Sequence, residues 1–87
     1  MDQQQILDTL IDVLHEVGEV PPASVSMDSD LSADLDLDSL LMVEVMIAAE
    51  EAFGVVVPDD VVADLTTVGD LVRHVARQAP APRPVLA

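Results

Sequence analysis

The chemistry on offer clusters in one segment, Asp34-Leu35-Asp36-Leu37-Asp38-Ser39-Leu40, where alternating carboxylates run into a serine hydroxyl. A hydroxyl can attack as a nucleophile or can itself be the group that is modified. Attack needs a base held against it. Ser39 has no base near it in sequence and no G-x-S-x-G elbow around it. His15 and His74 lie far from it along the chain with no third group indicated, and they read as a surface residue and a late-helix residue near a C-terminal dipole. Ser39 is therefore read as a substrate, and no catalytic residue is assigned. The carboxylates Asp34, Asp36 and Asp38 imitate the opening of an EF-hand, but Ser39 stands at its sixth position where glycine is needed. Val45 stands at its twelfth, where glutamate must close the loop. No metal site is expected, only weak, non-specific cation binding. The chain has no cysteine, which removes disulfides, a thiolate nucleophile and thiolate zinc ligands.

The elements that hold this segment are helical. Ile6, Leu10, Val13, Leu14 and Val17 recur at helical spacing, which predicts an amphipathic helix over residues 3–17. Gly18 is read as its stop, and Pro21-Pro22 forbids continuation. Residues 18–38 form a long Ser-, Asp- and Pro-rich connection, pinned by Val25, Met27, Leu31, Leu35 and Leu37. A loop this long in a small domain is commonly functional. The second helix is predicted from Ser39 to Phe53, with Asp38 as N-cap and Gly54 after its end. Val55-Val56-Val57-Pro58 reads as an extended connector, and Asp59 to Leu65 as a short third helix capped by Asp59 or Asp60. Thr67-Val68-Gly69-Asp70 is a T-x-x-D variant of the capping box opening a last helix to Gln78, with Leu71, Val72 and Val75 inward. The fold class is all-α: a four-helix bundle with a short third helix and a long loop between helices one and two. Residues 1–78 form one domain, and the Pro/Ala-rich residues 79–87 a disordered tail.

On a helical wheel, Met42, Val45, Met46, Ala49 and Phe53 gather on one side of the second helix, which must be the core side. Ser39, Leu40, Val43, Glu44, Ile47, Glu50 and Glu51 fall on the other. A solvent-facing stripe is normally polar, yet here three apolar residues sit among three carboxylates. That is the pattern of a docking surface, with an apolar centre and a charged rim. Equally, Leu40, Val43 and Ile47 could pack beneath the loop or the third helix. Ser39 falls in the first turn, where free N–H groups and the positive dipole end favour a phosphate ester. Taken alone it is as well explained as an ordinary helix-start serine. Met42 and Met46 are core fillers that could also line an adaptable pocket between helices.

Asp34 to Leu40 resembles the D-L-G-x-D-S-L signature of acyl carrier proteins. The resemblance continues through Met42-Val43-Glu44, Ala49-Glu50-Glu51-Ala52-Phe53, Val57-Pro58-Asp59 and Thr66 to Leu71, covering roughly residues 5–78 in the family's order. It implies that Ser39 is the attachment point of 4'-phosphopantetheine taken from coenzyme A, and that Asp38 helps place the magnesium of a phosphopantetheinyl transferase. It implies that Leu40, Val43, Glu44, Ile47, Glu50 and Glu51 are the surface read by acyl transferases, ketosynthases and other synthase enzymes through basic patches. The arm would carry acyl groups as thioesters for fatty-acid or polyketide synthesis. Two positions depart from the family. Asp36 stands where many members have glycine, although some discrete bacterial carriers have an acid there. Leu41 stands where an acidic or small polar residue is common, which would make the exposed face more apolar.

Charge sharpens the expected partners. All 17 acids lie between Asp2 and Asp70, and the cations are Arg73, Arg77 and Arg83. The formal charge is thus −17 over residues 1–72 and +3 over the rest, giving −14 in total. Such a field repels nucleic acid and anionic membrane and attracts basic protein surfaces. No apolar run approaches 18 residues and the N-terminus lacks a signal-peptide pattern, so a cytoplasmic monomer is expected. The short chain without flanking catalytic domains favours a discrete, type II carrier, and with no base beside Ser39 no enzymatic activity is expected. Two other readings remain. A peptidyl or aminoacyl carrier would usually show G-G-x-S, absent here; an acidic interaction module would leave the serine unmodified.

Overall fold

The computed structural model describes residues 2–78; the expected tail at 79–87 lies outside them. Four α-helices follow in order: α1 (Gln3–Gly18), α2 (Ser39–Phe53), α3 (Asp59–Asp64) and α4 (Val68–Gln78). A 3₁₀ turn, Pro22–Ser24, follows α1. The all-α expectation holds, and α1 is the hub that packs on both α2 and α4.

Ile6, Leu10 and Leu14 of α1 are wholly buried, as the spacing of four residues requires. They meet Val45, Met46 and Ala49 of α2 and Val68, Leu71, Val72 and Val75 of α4 in one core. Asp2 caps α1 in a reciprocal pair with Gln5: the Gln5 N–H donates to the Asp2 carboxylate (2.8 Å) and the Asp2 N–H to Gln5 Oε1 (3.1 Å). At the other end the stop differs from expectation. Gly18 is the last helical residue, and the left-handed backbone falls on Glu19 (φ 57°), whose N–H donates to His15 O.

The long connection is ordered by partners distant in sequence. Leu31 N–H donates to Thr66 O (2.9 Å), Val68 N–H to Ser29 O (2.9 Å) and Gly69 N–H to Met27 O (2.8 Å), so residues 27–31 run along the entry to α4. A side chain at Gly69 would bring its Cβ to 2.8 Å from Met27 O, which is why glycine stands there. Within the loop, Asp30 Oδ1 accepts from the Ser32 and Ala33 N–H groups, and Asp34 Oδ2 accepts from Asp30 N–H at 2.7 Å. Leu31, Leu35 and Leu37 are buried and Val25 and Met27 partly so, the five residues expected to pin it. Asp36 takes a left-handed backbone (φ 58°), which accounts for glycine being the common alternative at that position.

The start of α3 corrects the expected cap. Pro58, in extended conformation, holds the N-cap position without a side-chain hydrogen bond, and Asp59 and Asp60 already lie in the first turn. There they favour the positive dipole end instead of capping it. The helix ends at Asp64, and none of its residues is fully buried. α4 opens as the capping box predicts: Asp70 N–H donates to Thr67 Oγ1 (3.1 Å), and Thr67 N–H to Asp70 Oδ2 (3.1 Å).

Candidate functional site

Ser39 is exposed and sits at the first position of α2. Asp38 places it. Its backbone is extended and its carboxylate accepts from Leu41 N–H at 2.8 Å, so the helix begins at Ser39 with the hydroxyl outside. Asp38 occupies one of the helix's free N–H groups. Those of Ser39 and Leu40 have no acceptor one turn back, because the helix has not yet begun. Exposed hydroxyl, unpaired amides and the positive end of a 15-residue helix fit a phosphodiester on Ser39.

Downstream, α2 turns the residues picked from the wheel outward. Leu40 is 67% exposed, Val43 54% and Ile47 50%, against 0% for Val45 and Ala49. The alternative of burial beneath loop or third helix is thereby excluded. Glu44 and Glu51 are exposed beside them. Glu50 is half-buried and differs from its neighbours: its Oε2 accepts from Val57 N–H at 2.7 Å. Leu41 is half-buried against the core and so adds nothing to the exposed apolar face. Met42 and Phe53, assigned to the core, are only partly buried at its edge.

A cleft of about 170 Å³ opens beside this face, lined by Val43, Met46, Ile47, Glu50, Val57, Asp59 and Val62. Of the two methionines suggested for a pocket, Met46 lines it and Met42 does not. Sequence reading missed Val57, Asp59 and Val62, whose approach to α2 depends on the path of the connector.

Both histidines serve structure. His15 Nδ1 donates to Val20 O (3.2 Å). His74 is buried, not merely late in its helix, and its Nε2 donates to Val56 O at 3.1 Å. At the start of α4 the N–H groups of Thr66 and Thr67, then the Arg73 guanidinium at 2.8 Å, hold the pKa of Asp70 down at about 2. Among the described residues, no group of three or more His, Cys, Asp or Glu side chains is placed to hold a metal ion. No helix there is long and apolar enough to cross a membrane.

The family model described as "Phosphopantetheine attachment site" matches residues 4–75. The acyl carrier protein of Acidothermus cellulolyticus is 46% identical over 76 residues, covering 87% of this chain and 90% of the relative. That of Thermobifida fusca is 41% identical over 75 residues, covering 86% and 95%. This chain belongs to the acyl carrier proteins. The meromycolate extension acyl carrier protein of Mycolicibacterium aurum is also similar, 39% identical over 86% of this chain and 77% of the relative. As an acyl carrier protein the chain carries acyl intermediates on 4'-phosphopantetheine and works as a carrier for synthase enzymes. The matched stretch contains the whole of α2, its cap and the outward face.

Proposed function

We propose that Ser39 carries the 4'-phosphopantetheine arm and that Leu40, Val43, Glu44, Ile47, Glu50 and Glu51 are read by the enzymes that load and use it. The observation that carries this is the exposed Ser39 at the N-terminus of α2, one turn before Val43 and two before Ile47 on an outward face that is half apolar. In loading, Ser39 Oγ forms the new bond to phosphorus. The nucleotide portion of coenzyme A leaves, and the hydroxyl proton passes to a base of the phosphopantetheinyl transferase. Asp38, next to the reacting oxygen, helps place the transferase's magnesium. When bound, the arm supplies the thiol on which acyl groups are held as thioesters. Acyl transferases and ketosynthases with basic patches are steered by the carboxylate field. Exposed ion pairs are worth only about 0–1 kcal/mol each, which keeps release fast. The cleft takes part of the acyl chain against Val43, Met46, Ile47, Val57 and Val62, with Glu50 and Asp59 also in its lining. The carrier domain is residues 1–78, acting in the cytoplasm as a monomer in fatty-acid or polyketide synthesis.

Incubation with coenzyme A, magnesium and a permissive transferase should add the mass of one phosphopantetheine. Ser39→Ala should abolish the addition without loss of helix content, because the hydroxyl is exposed. Modification at Ser24, Ser26, Ser29 or Ser32 would defeat the assignment.

A further inference from the structure

Among the described residues the connector between α2 and α3 has no strand partner, so its backbone groups must find acceptors and donors elsewhere. Side chains supply them. Val57 N–H donates to Glu50 Oε2 (2.7 Å), Val56 N–H to Gln78 Oε1 (3.3 Å), and Val56 O accepts from His74 Nε2 (3.1 Å). The bond from Val57 is the shortest of the three and the only one to a carboxylate, the stronger kind of acceptor. α3, which follows at once, is poorly held by its own means. It has six residues, no side-chain cap and no buried residue, and so short a helix is not stable alone. Its Asp59 and Val62, with Val57 of the connector, nevertheless form the wall of the cleft that faces α2.

We infer that Glu50 is a positioning residue, a latch that fixes the connector and α3 over the α2 cleft. Glu44 and Glu51 on the same face make no such bond among the described residues. The latch sits within the docking face, and Glu50 Oε1 makes no bond among the described residues. A partner cation that pairs with Glu50 through this second oxygen draws negative charge away from Oε2 and so weakens the bond from Val57 N–H. Docking and loosening of α3 are linked through one side chain. The linkage to acyl groups rests on the carrier function proposed above; the latch itself does not.

The test uses the unmodified full chain and amide hydrogen exchange read residue by residue. Glu50→Ala should speed exchange at Val57 and at Val61, Val62 and Leu65 in α3 and its cap by at least ten-fold relative to the change at Leu10, Leu14 and Val75. Glu50→Gln, whose amide oxygen still accepts, should recover most of that protection. Glu51→Ala should leave all these amides unchanged. If Val57 and the α3 amides accelerate no more than those of α1 and α4, or if Glu51→Ala acts like Glu50→Ala, the latch is refuted. A second experiment uses chain loaded at Ser39 with phosphopantetheine whose terminal thiol carries an octanoyl thioester. Hydroxylamine should cleave the thioester several-fold faster in Glu50→Ala than in Glu51→Ala, and equal rates refute the linkage to acyl groups. Failure to load Ser39 at all would defeat the proposed function while the exchange result still decides the latch.

Discussion

Asp38 is assigned two jobs, and they can be separated. Its carboxylate accepts from Leu41 N–H at 2.8 Å and so caps α2. It also lies next to Ser39, where a transferase's magnesium would be placed. Because Asp38 is exposed, substitution removes no packing, and the stability effect is that of the cap alone. Asp38→Ala should cost about 1 kcal/mol, within the 0.5–2 kcal/mol usual for lost caps. In a domain of this size that lowers the melting temperature by about 4–8 °C. Asn is as good an N-cap as Asp, so Asp38→Asn should lose only the charge–dipole part, about 0.3–1 kcal/mol.

Loading should follow a different order. Both variants lack the carboxylate, so both should load at least ~10-fold more slowly than wild type, equivalent to ~1.4 kcal/mol of barrier. The assay is the initial rate of phosphopantetheine addition by mass spectrometry, at saturating coenzyme A and fixed magnesium, beside thermal melts of the same samples. Stability should run wild type, Asn, Ala in descending order, with loading high for wild type and equally low for the other two. If Asp38→Asn loads at the wild-type rate while Asp38→Ala does not, Asp38 acts through the helix cap only and its role at the metal is wrong.

Three further outcomes are expected. Asp36→Gly should be more stable than Asp36→Ala by about 1 kcal/mol in urea melts although both remove the same charge, because the left-handed backbone (φ 58°) penalises a Cβ; equal stabilities would contradict that conformation. Asp70 has a folded pKa of about 2 against an ordinary 3.8, so its stabilisation is complete above the unfolded value and lost as pH falls through about 4 towards 2. The advantage of wild type over Asp70→Asn in melting temperature should shrink across that window, and a gap independent of pH would argue against it. Ile47→Ala, at a half-exposed site, should cost less than about 1 kcal/mol, whereas Val45→Ala, at a fully buried one, should cost about 2 kcal/mol from lost transfer energy and a cavity. Against a ketosynthase, Glu44→Gln should slow association and flatten its salt dependence, and Ile47→Ala should mainly speed dissociation; a large thermal loss in Ile47→Ala would move that residue into the core.

What could be foreseen from sequence was whatever is encoded locally. α2 is bounded by Asp38 and Gly54, each placed where its side chain or left-handed backbone (φ 66°) ends a helix, and both bounds were legible. The burial of Val45, Met46 and Ala49 opposite Leu40, Val43 and Ile47 follows from the 100° step between residues. The order of residues 27–31 was not legible, because their acceptors and donors at 66–69 lie almost forty residues away and leave no periodic trace. His74 was misjudged for the same reason. A histidine among Leu71, Val72 and Val75 says nothing of Val56 O, which the connector brings to it from 18 residues earlier.

Glu50 shows where the two kinds of information meet. The wheel directs it to the same side as Glu44 and Glu51, and by composition the three are interchangeable. The connector then delivers the Val57 N–H to 2.7 Å from only one of them. A buried N–H left without an acceptor costs about 1–3 kcal/mol. The connector's path and the position of Glu50 therefore constrain each other as soon as Val57 is buried. A carboxylate on an exposed face is free to steer partners only if the fold makes no use of it. By that criterion Glu44 and Glu51 are the steering charges of the proposed docking face, while a partner that pairs with Glu50 weakens an internal bond. On the proposed docking face the three acids are therefore not equivalent: a cation bound at Glu50 also loosens the wall of the cleft, and one bound at Glu44 or Glu51 does not.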